Sequence, residues 1–327
     1  MCVIDAHHYM RGAAVSSTLS SKVTADQDYA TLELCEKLAR LGEQITLSAA
    51  KPQETIASVA WKSNDGQSRL YHGDSLQLMA DLPADSVDCI WTDPPYNLSN
   101  DGITCIAGRM VKVNKGEWDR SRGVELDHTF NKAWLAACYR ILKPTGTIWV
   151  SGTIHVYPSV GFAMQELGFR ILNDIIWEKP APPPNLGCRC FTHATELILW
   201  ATKARKGKEK YTFNYDLMRA ENGGKQMKNV WRMPTPNKDE KRYGKHPTQK
   251  PLALVARCIR ASTNEDDLVF DPFSGSATTG VASLILGRRF IGCEMEDNYI
   301  RLAAKRLSGS TGMHIPAEPK EHLLWSD

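Results

Sequence analysis

The run Val87-Asp88-Cys89-Ile90-Trp91, followed by Thr92 and then Asp93-Pro94-Pro95-Tyr96, decides how the rest of the chain is read. A short segment rich in Val, Ile and Trp and bounded by turn formers reads as a buried strand, and two prolines cannot continue it. The tetrapeptide therefore stands just past a strand's carboxyl end. In an open α/β sheet that is the edge on which ligands bind, so a carboxylate, two stiff prolines and an aromatic ring arrive at a candidate active site. Taken alone, the four residues also fit an Asx-Pro turn, or a Pro-Pro-Tyr ligand for another protein's groove. The surrounding chain has to decide.

From Leu70 onward, strand patterns alternate with helix-length periodic segments. Strands are expected over 70–72, 87–91, 147–151, 171–177, 196–201, 268–270 and 290–294, and helices over 74–82, 129–142, 159–167, 251–261, 278–286 and 298–307. That alternation predicts an α/β fold with a doubly wound, mostly parallel sheet of seven strands. The expected organisation is an N-terminal extension over 1–65, a catalytic domain over 66–310 and a tail over 311–327. Within the extension, Tyr29, Leu32, Leu34, Leu38 and Leu41 recur at helical spacing and predict a helix over 24–47, a packing face for the domain or for a second subunit.

The totals narrow the class. At 327 residues, with 42% hydrophobic and 24% charged content, the chain has the composition of a globular protein with a sizeable core. It contains no run of eighteen apolar residues and its start lacks the basic and apolar regions of a secretory signal, so a cytoplasmic protein is expected. Nine cysteines without a Cys-x-x-Cys pair suit reduced thiols better than a disulfide framework or a zinc site, and no metal is expected.

Two segments break the alternation. Residues 97–126 follow the tetrapeptide directly, with Gly102, Gly108 and Gly116 and little periodicity, which suits an active-site loop. Residues 203–245 form a basic segment. Between Lys203 and Lys250 there are fourteen Lys and Arg against five Asp and Glu, in a chain whose total charge is only +3. Tyr211, Phe213, Tyr215 and Trp231 are interleaved with these charges, a pattern that favours a nucleic-acid surface over a solvated hairpin.

A second constellation lies downstream. Leu268-Val269-Phe270-Asp271-Pro272-Phe273-Ser274-Gly275-Ser276-Ala277-Thr278 reads as strand, small-residue turn and helix start, followed by a strand that ends on Glu294. Small residues let backbone approach a ligand, a helix start offers N–H donors, and a carboxylate after the second strand suits ribose hydroxyls. No Lys follows the glycines, which argues against a phosphate-cradling nucleotidase loop. A third element, His246-Pro247-Thr248-Gln249-Lys250-Pro251, closes the basic segment and opens a helix, placing a cation and a hydroxyl where an amino acid's carboxylate would be held.

In this chain order, the three motifs resemble the β class of S-adenosylmethionine-dependent DNA amino-methyltransferases, in which the catalytic motif precedes the cofactor motif and the recognition segment lies between them. The likeness spans roughly 70–307. Shorter stretches, including Cys188-Arg189-Cys190-Phe191-Thr192-His193 and Gly224-Lys225-Gln226-Met227-Lys228, are similar to the second adenine methylases of DpnII-type restriction systems, a group acting on GATC and tolerant of single strands.

The resemblance implies a Rossmann-like methyltransferase fold in the permuted β-class order, S-adenosylmethionine as cofactor and DNA, double- or single-stranded, as partner. It also implies a homodimer and a restriction endonuclease as companion. It places catalysis on Asp93, Pro94, Pro95 and Tyr96, with Asp93 and the Pro94 carbonyl accepting the target amine's hydrogens and Tyr96 stacking on a flipped base. It assigns the cofactor to Asp74, His246, Thr248, Gln249, Lys250, Asp271, Phe273, Ser274, Gly275, Ser276, Thr278 and Glu294, with Lys250 at the methionine end. Asp74 reads equally well as a helix cap. DNA contacts are expected from Asn97, Lys115, Arg189, Lys225, Lys228 and Arg232. Ala277 stands where the family commonly has a second Gly. N6 of adenine is the expected target, because the N4-cytosine group usually carries Ser in place of Asp93. A silent DNA-binding protein of the same fold is the rival from another class.

Overall fold

The segment 87–92 is buried along nearly its whole length, which requires a strand covered on both faces. The computed structural model describes residues 57–96, 103–106, 109–112, 119–205, 207 and 210–316. Its strands are β1 (Ser58–Lys62), β2 (Arg69–His72), β3 (Val87–Thr92), β4 (Ile103–Ile106), β5 (Arg109–Lys112), β6 (Leu142–Gly152), β7 (Arg170–Glu178), β8 (Thr195–Thr202), β9 (Val230–Arg232), β10 (Leu268–Asp271) and β11 (Arg289–Glu294). The helices are α1 (Ser75–Asp81), α2 (Val124–Ile141), α3 (Tyr157–Glu166), α4 (Tyr215–Glu221), α5 (Leu252–Ser262), α6 (Thr278–Ile285) and α7 (Asp297–Ser308). The expected helix over 24–47, Asn97 and Lys115 lie outside the described residues.

All seven expected strands pair in one sheet, and two short edge strands bring it to nine, in the order β1-β2-β11-β10-β3-β6-β8-β7-β9. Of the seven, only β8 is reversed, antiparallel to both β6 and β7. The carboxyl ends of β2, β11, β10, β3, β6 and β7 therefore share one edge. β1 pairs antiparallel with β2, from within the expected extension, and only its Trp61 is even half-buried, so its apolar pattern is faint. β9 has three residues, too few for a periodic signal. In the expected active-site loop, β4 and β5 pair as an antiparallel hairpin.

Local chemistry explains the helices. Asp74 caps α1, its Oδ1 accepting from the Leu76 and Gln77 N–H groups at 2.8 and 3.0 Å. α2 begins five residues earlier than periodicity suggests, with Glu125 and Asp127 in its first turn and Arg140 in its last, as the helix dipole favours. α5 is buried all round except at Arg260. It belongs to an apolar cluster with β3, β10 and α6, while α2, α3 and the other side of β3 and β6 form a second cluster. Helices thus cover both faces of the sheet, and Thr55–Asp327 is one compact unit.

Candidate active site

β2, β11, β10 and β3 are consecutive in the sheet, and a cavity of about 590 Å³ opens at their carboxyl ends. Asp74, Asp93, Asp271, Phe273, Ser274, Gly275, Ser276, Thr278, Glu294, His246, Thr248, Gln249 and Lys250 all line it, as does Pro95. Three motifs far apart in sequence therefore share one wall. The cavity also takes in Arg120, Ser121, Arg122 and Phe130, around the start of α2, which sequence reasoning did not single out.

The turn after β10 is tightly held. The buried Asp271 accepts from Phe273 N–H at 3.1 Å and from Thr279 Oγ1 at 2.6 Å. Burial nevertheless dominates and pushes its carboxyl up to about 7. Glu294 accepts from Gly275 N–H at 2.8 Å on Oε2 and from the N–H groups of Met295 and Glu296 at 2.9 and 2.8 Å on Oε1. Burial raises this carboxyl too, against the pull of those donors. Gly275 has φ +51°, and a Cβ there would come within 3.0 Å of His246 Nε2, so the turn and the His246 ring need a residue without a side chain. Ala277 adopts φ 56° with its methyl buried, a left-handed conformation at the position where the family commonly has Gly.

Arg306, on α7, was not anticipated. Fully buried, it donates from Nη1 to Ser276 O at 2.5 Å, Ser276 Oγ at 2.9 Å and Thr278 Oγ1 at 3.0 Å, stapling the turn from below. Burial depresses its guanidinium to about 10. In sequence it is one cation in the last turn of an amphipathic helix, with no mark to separate it from Lys305.

Around Asp93 the structure builds a buried network. Tyr96 donates its hydroxyl to Asp93 Oδ1 and lies 2.8 Å from Ser151 Oγ, while Asp119 accepts from Tyr96 N–H at 2.8 Å. Lys250 donates to Asp93 Oδ2 and lies 3.5 Å from Glu196 Oε2; Lys179 holds Glu196 Oε1 at 2.5 Å. Burial opposes both charges, but the carboxylates of Asp93 and Glu196 outweigh it and raise the Lys250 ammonium. Burial likewise opposes ionisation of Glu196, and Lys250 and Lys179 together hold its carboxyl below the usual range. Two of the sequence expectations change here. Lys250 lines the cavity, but its ammonium sits on Asp93 instead of standing free for an amino-acid carboxylate. Tyr96 is only 4% exposed, with Lys250 Nζ 5.1 Å from its ring centroid, so its ring is packed behind Asp93 and does not line the cavity. Glu196, Lys179, Ser151 and Asp119 were missed, since nothing in the sequence ties them to Asp93.

The basic segment also divides. Tyr211 and Phe213 pack on Trp200, which stacks on Trp149 at 4.7 Å, and Trp231 is buried beneath Arg257. Asn214 bonds the final carbonyls of α5, at the end of the sheet opposite Asp93. Trp231 is buried and Tyr211 packs against the core, whereas Phe213 and its neighbour Tyr215 each stay 43% exposed. Lys225 and Lys228 are exposed but precede the amino end of β9, whereas Arg232 at its carboxyl end reaches the catalytic edge, 3.7 Å from Glu178. Arg189 is exposed in the connection between β7 and β8.

The doubly wound sheet and the cavity beside Asp93 agree with what the motifs imply by resemblance, a methyltransferase acting on an amine. Residues 87–305 match the model of the DNA methylase family of N6 and N4 amino-methyltransferases, and the chain belongs to that family. It is similar to the Type II methyltransferases M2.DpnII of Streptococcus pneumoniae, 50% identical over 75% of this chain and 91% of the relative, and M2.MboI of Moraxella bovis, 47% identical over 75% and 89%. Among solved structures, the M1.HpyAVI complex with S-adenosylmethionine is 30% identical, with a TM-score of 0.54 over 73% of this chain and 98% of that one. The cytosine-N4-specific PvuII methyltransferase shares the fold, with a TM-score of 0.60 over 77% and 89% and an identity of 22%. The protein is a DNA methyltransferase that uses S-adenosylmethionine. The donor set fits that cofactor: six acidic side chains line the cavity, which suits a cationic ligand, and Phe273 offers an apolar face to a purine.

Proposed function

We propose that this chain methylates the exocyclic N6 amine of an adenine extruded from a short DNA site, as the modification enzyme beside a restriction endonuclease in the cytoplasm. The observation that carries the reading is Asp93, a buried carboxylate at the end of β3 that faces the same cavity as the Asp271–Gly275 turn. The names of the Type II relatives support the modification role. Among the described residues no helix is long and apolar enough to cross a membrane.

Bound S-adenosylmethionine supplies an electrophilic methyl group on a sulfonium. For holding it, we assign Glu294 to the ribose hydroxyls, the free oxygen of Asp74 to the adenine amine, and Phe273, Ser274 and Gly275 to the turn beneath. His246, Thr248 and Gln249 stand at the methionine end. Asp271, Ser276 and Thr278 shape the turn from behind. The target amine is conjugated with its ring and is a poor nucleophile. Asp93 and the Pro94 carbonyl accept its two hydrogens and so localise the lone pair toward the methyl group, a positioning and electrostatic effect that needs no covalent enzyme intermediate. Lys250 must yield Asp93 to the amine, and Glu196 is placed to receive it. Arg189 and Arg232, at the catalytic edge, are better placed for phosphates than Lys225 and Lys228.

Single-molecule sequencing of genomic DNA from cells expressing the chain, against an Asp93→Ala control, tests this reading. We expect 6-methyladenine in one short context, GATC by the resemblance, only in the active strain, with cofactor binding by the variant retained. 4-methylcytosine would overturn the choice of base, and an unmodified genome would overturn the activity.

A further inference from the structure

The connection from β7 to β8 leaves and returns on the catalytic edge. Lys179 N–H donates to Ala194 O at 2.8 Å and pinches its base. The root is coupled to the reacting carboxylate in three links, Lys179 to Glu196, Glu196 to Lys250 and Lys250 to Asp93. Pro180, Pro182, Pro183 and Pro184 stiffen its outgoing limb. Its tip is organised by Asn185, whose Oδ1 accepts from Gly187 N–H at 3.0 Å and whose Nδ2 donates to Cys190 O at 2.8 Å. Every residue from Leu186 to His193 is exposed, and Phe191 is 95% exposed.

A preformed, Pro-stiffened loop that holds a phenylalanine in water gains nothing from it in the isolated protein. Beside a cavity that must receive a base, it has a use. Extruding an adenine leaves a gap in the stack, and aromatic or aliphatic wedges fill such gaps because every base offers a π face. Tyr96 and Trp231 are buried, and Tyr211 packs edge-on against Trp200. We propose that residues 179–194 form the strand-opening loop of this enzyme and that Phe191 occupies the space vacated by the flipped adenine, with Arg189 on the adjoining phosphate. The inference rests on the DNA adenine methylation read above.

The test compares methyl incorporation by the full chain into two unmethylated duplexes that carry the recognised site, one fully paired and one with the target adenine opposite another adenine. Wild type methylating neither duplex would sink the adenine-methylase reading itself. With wild type active, Phe191→Ala is expected to lose about 10- to 100-fold in kcat/KM on the paired duplex, the factor a base-stacking contact is worth. It should recover most of that on the mispaired one, where opening is already cheap, and Phe191→Trp should stay active on both. Unchanged activity of Phe191→Ala on the paired duplex overturns the proposal. So does an equal loss on both duplexes, which marks a general contact instead of a wedge. As a second readout, 2-aminopurine at the target position should brighten when wild type binds and stay dim with Phe191→Ala.

Discussion

Asp93 has both carboxylate oxygens engaged before any substrate arrives, one by the Tyr96 hydroxyl and one by the Lys250 ammonium. Taking an ammonium out of water costs several kcal/mol, and a buried pair repays this only when its remaining valences are met. Lys250 meets that condition through a second carboxylate, Glu196, which Lys179 balances in turn. The four charges sum to zero, so the amine of a substrate can displace Lys250 from Asp93 without leaving it unpaired. Glu196→Gln removes that landing place. The expected result is a fall of about tenfold or more in the single-turnover rate of methyl transfer, equivalent to about 1.4 kcal/mol per decade, with cofactor affinity unchanged and partial rescue by Glu196→Asp. A rate equal to wild type would show that Lys250 leaves Asp93 unaided. Asp93 was legible in the sequence because its neighbours are distinctive: two prolines after an apolar strand. Glu196 was not, because it becomes a neighbour of Asp93 only through the pairing of β8 with β6 and carries no local pattern of its own.

At the scale of elements, the β10–α6 turn shows how far motif reading extends. Small residues and a carboxylate were enough to place a tight turn at 271–276, which the structure sets against the cavity. What fixes the turn was hidden: Arg306 arrives from α7, thirty residues on, and Ala277 accepts a left-handed backbone because its surroundings hold it. The basic segment was harder to read for a related reason. Aromatics between lysines look alike whether they face bases or Trp200, and only the return of the chain beneath α5 separates the two. The turn also makes a pH prediction. Asp271 has a folded-state value of about 7 against an ordinary 3.8, so between these limits the native protein keeps a proton that the unfolded chain has lost. Its contribution to stability is full below about pH 4 and is lost as pH rises toward 7, by about 1.4 kcal/mol per unit and at most about 4 kcal/mol. Asp271→Asn removes that slope. Urea unfolding of both proteins at pH 4.5 and 7.5 should show the variant gaining on wild type by a few kcal/mol as pH rises; a constant difference would mean that Asp271 titrates normally.

For the whole molecule, the sheet order divides the work. On the function proposed above, β2, β11 and β10 would carry the cofactor side and β3 the transfer, with β8 and the root of the β7–β8 connection carrying the network behind Asp93. The alternation of strands and helices made this arrangement readable from Leu70 onward, because parallel strands buried on both faces write themselves as apolar runs. The edge strands did not, being half in water. Every described group of the site lies in the unit Thr55–Asp327, and the DNA methylase match over 87–305 falls inside it. An enzyme begun at Thr55 should therefore fold with β1 still closing the sheet, and should transfer methyl groups to DNA at a rate within about twofold of the full chain. Beginning it after Lys62 instead would strip β1 and leave β2 as a bare edge, a template for pairing with other chains, and that protein should aggregate. Thermal unfolding, size-exclusion chromatography and methyl incorporation on the three lengths decide the matter. If the chain begun at Thr55 folds but elutes as a monomer where the full chain is a dimer, residues 1–54 supply the subunit contact; if it cannot fold, the catalytic unit does not stand alone.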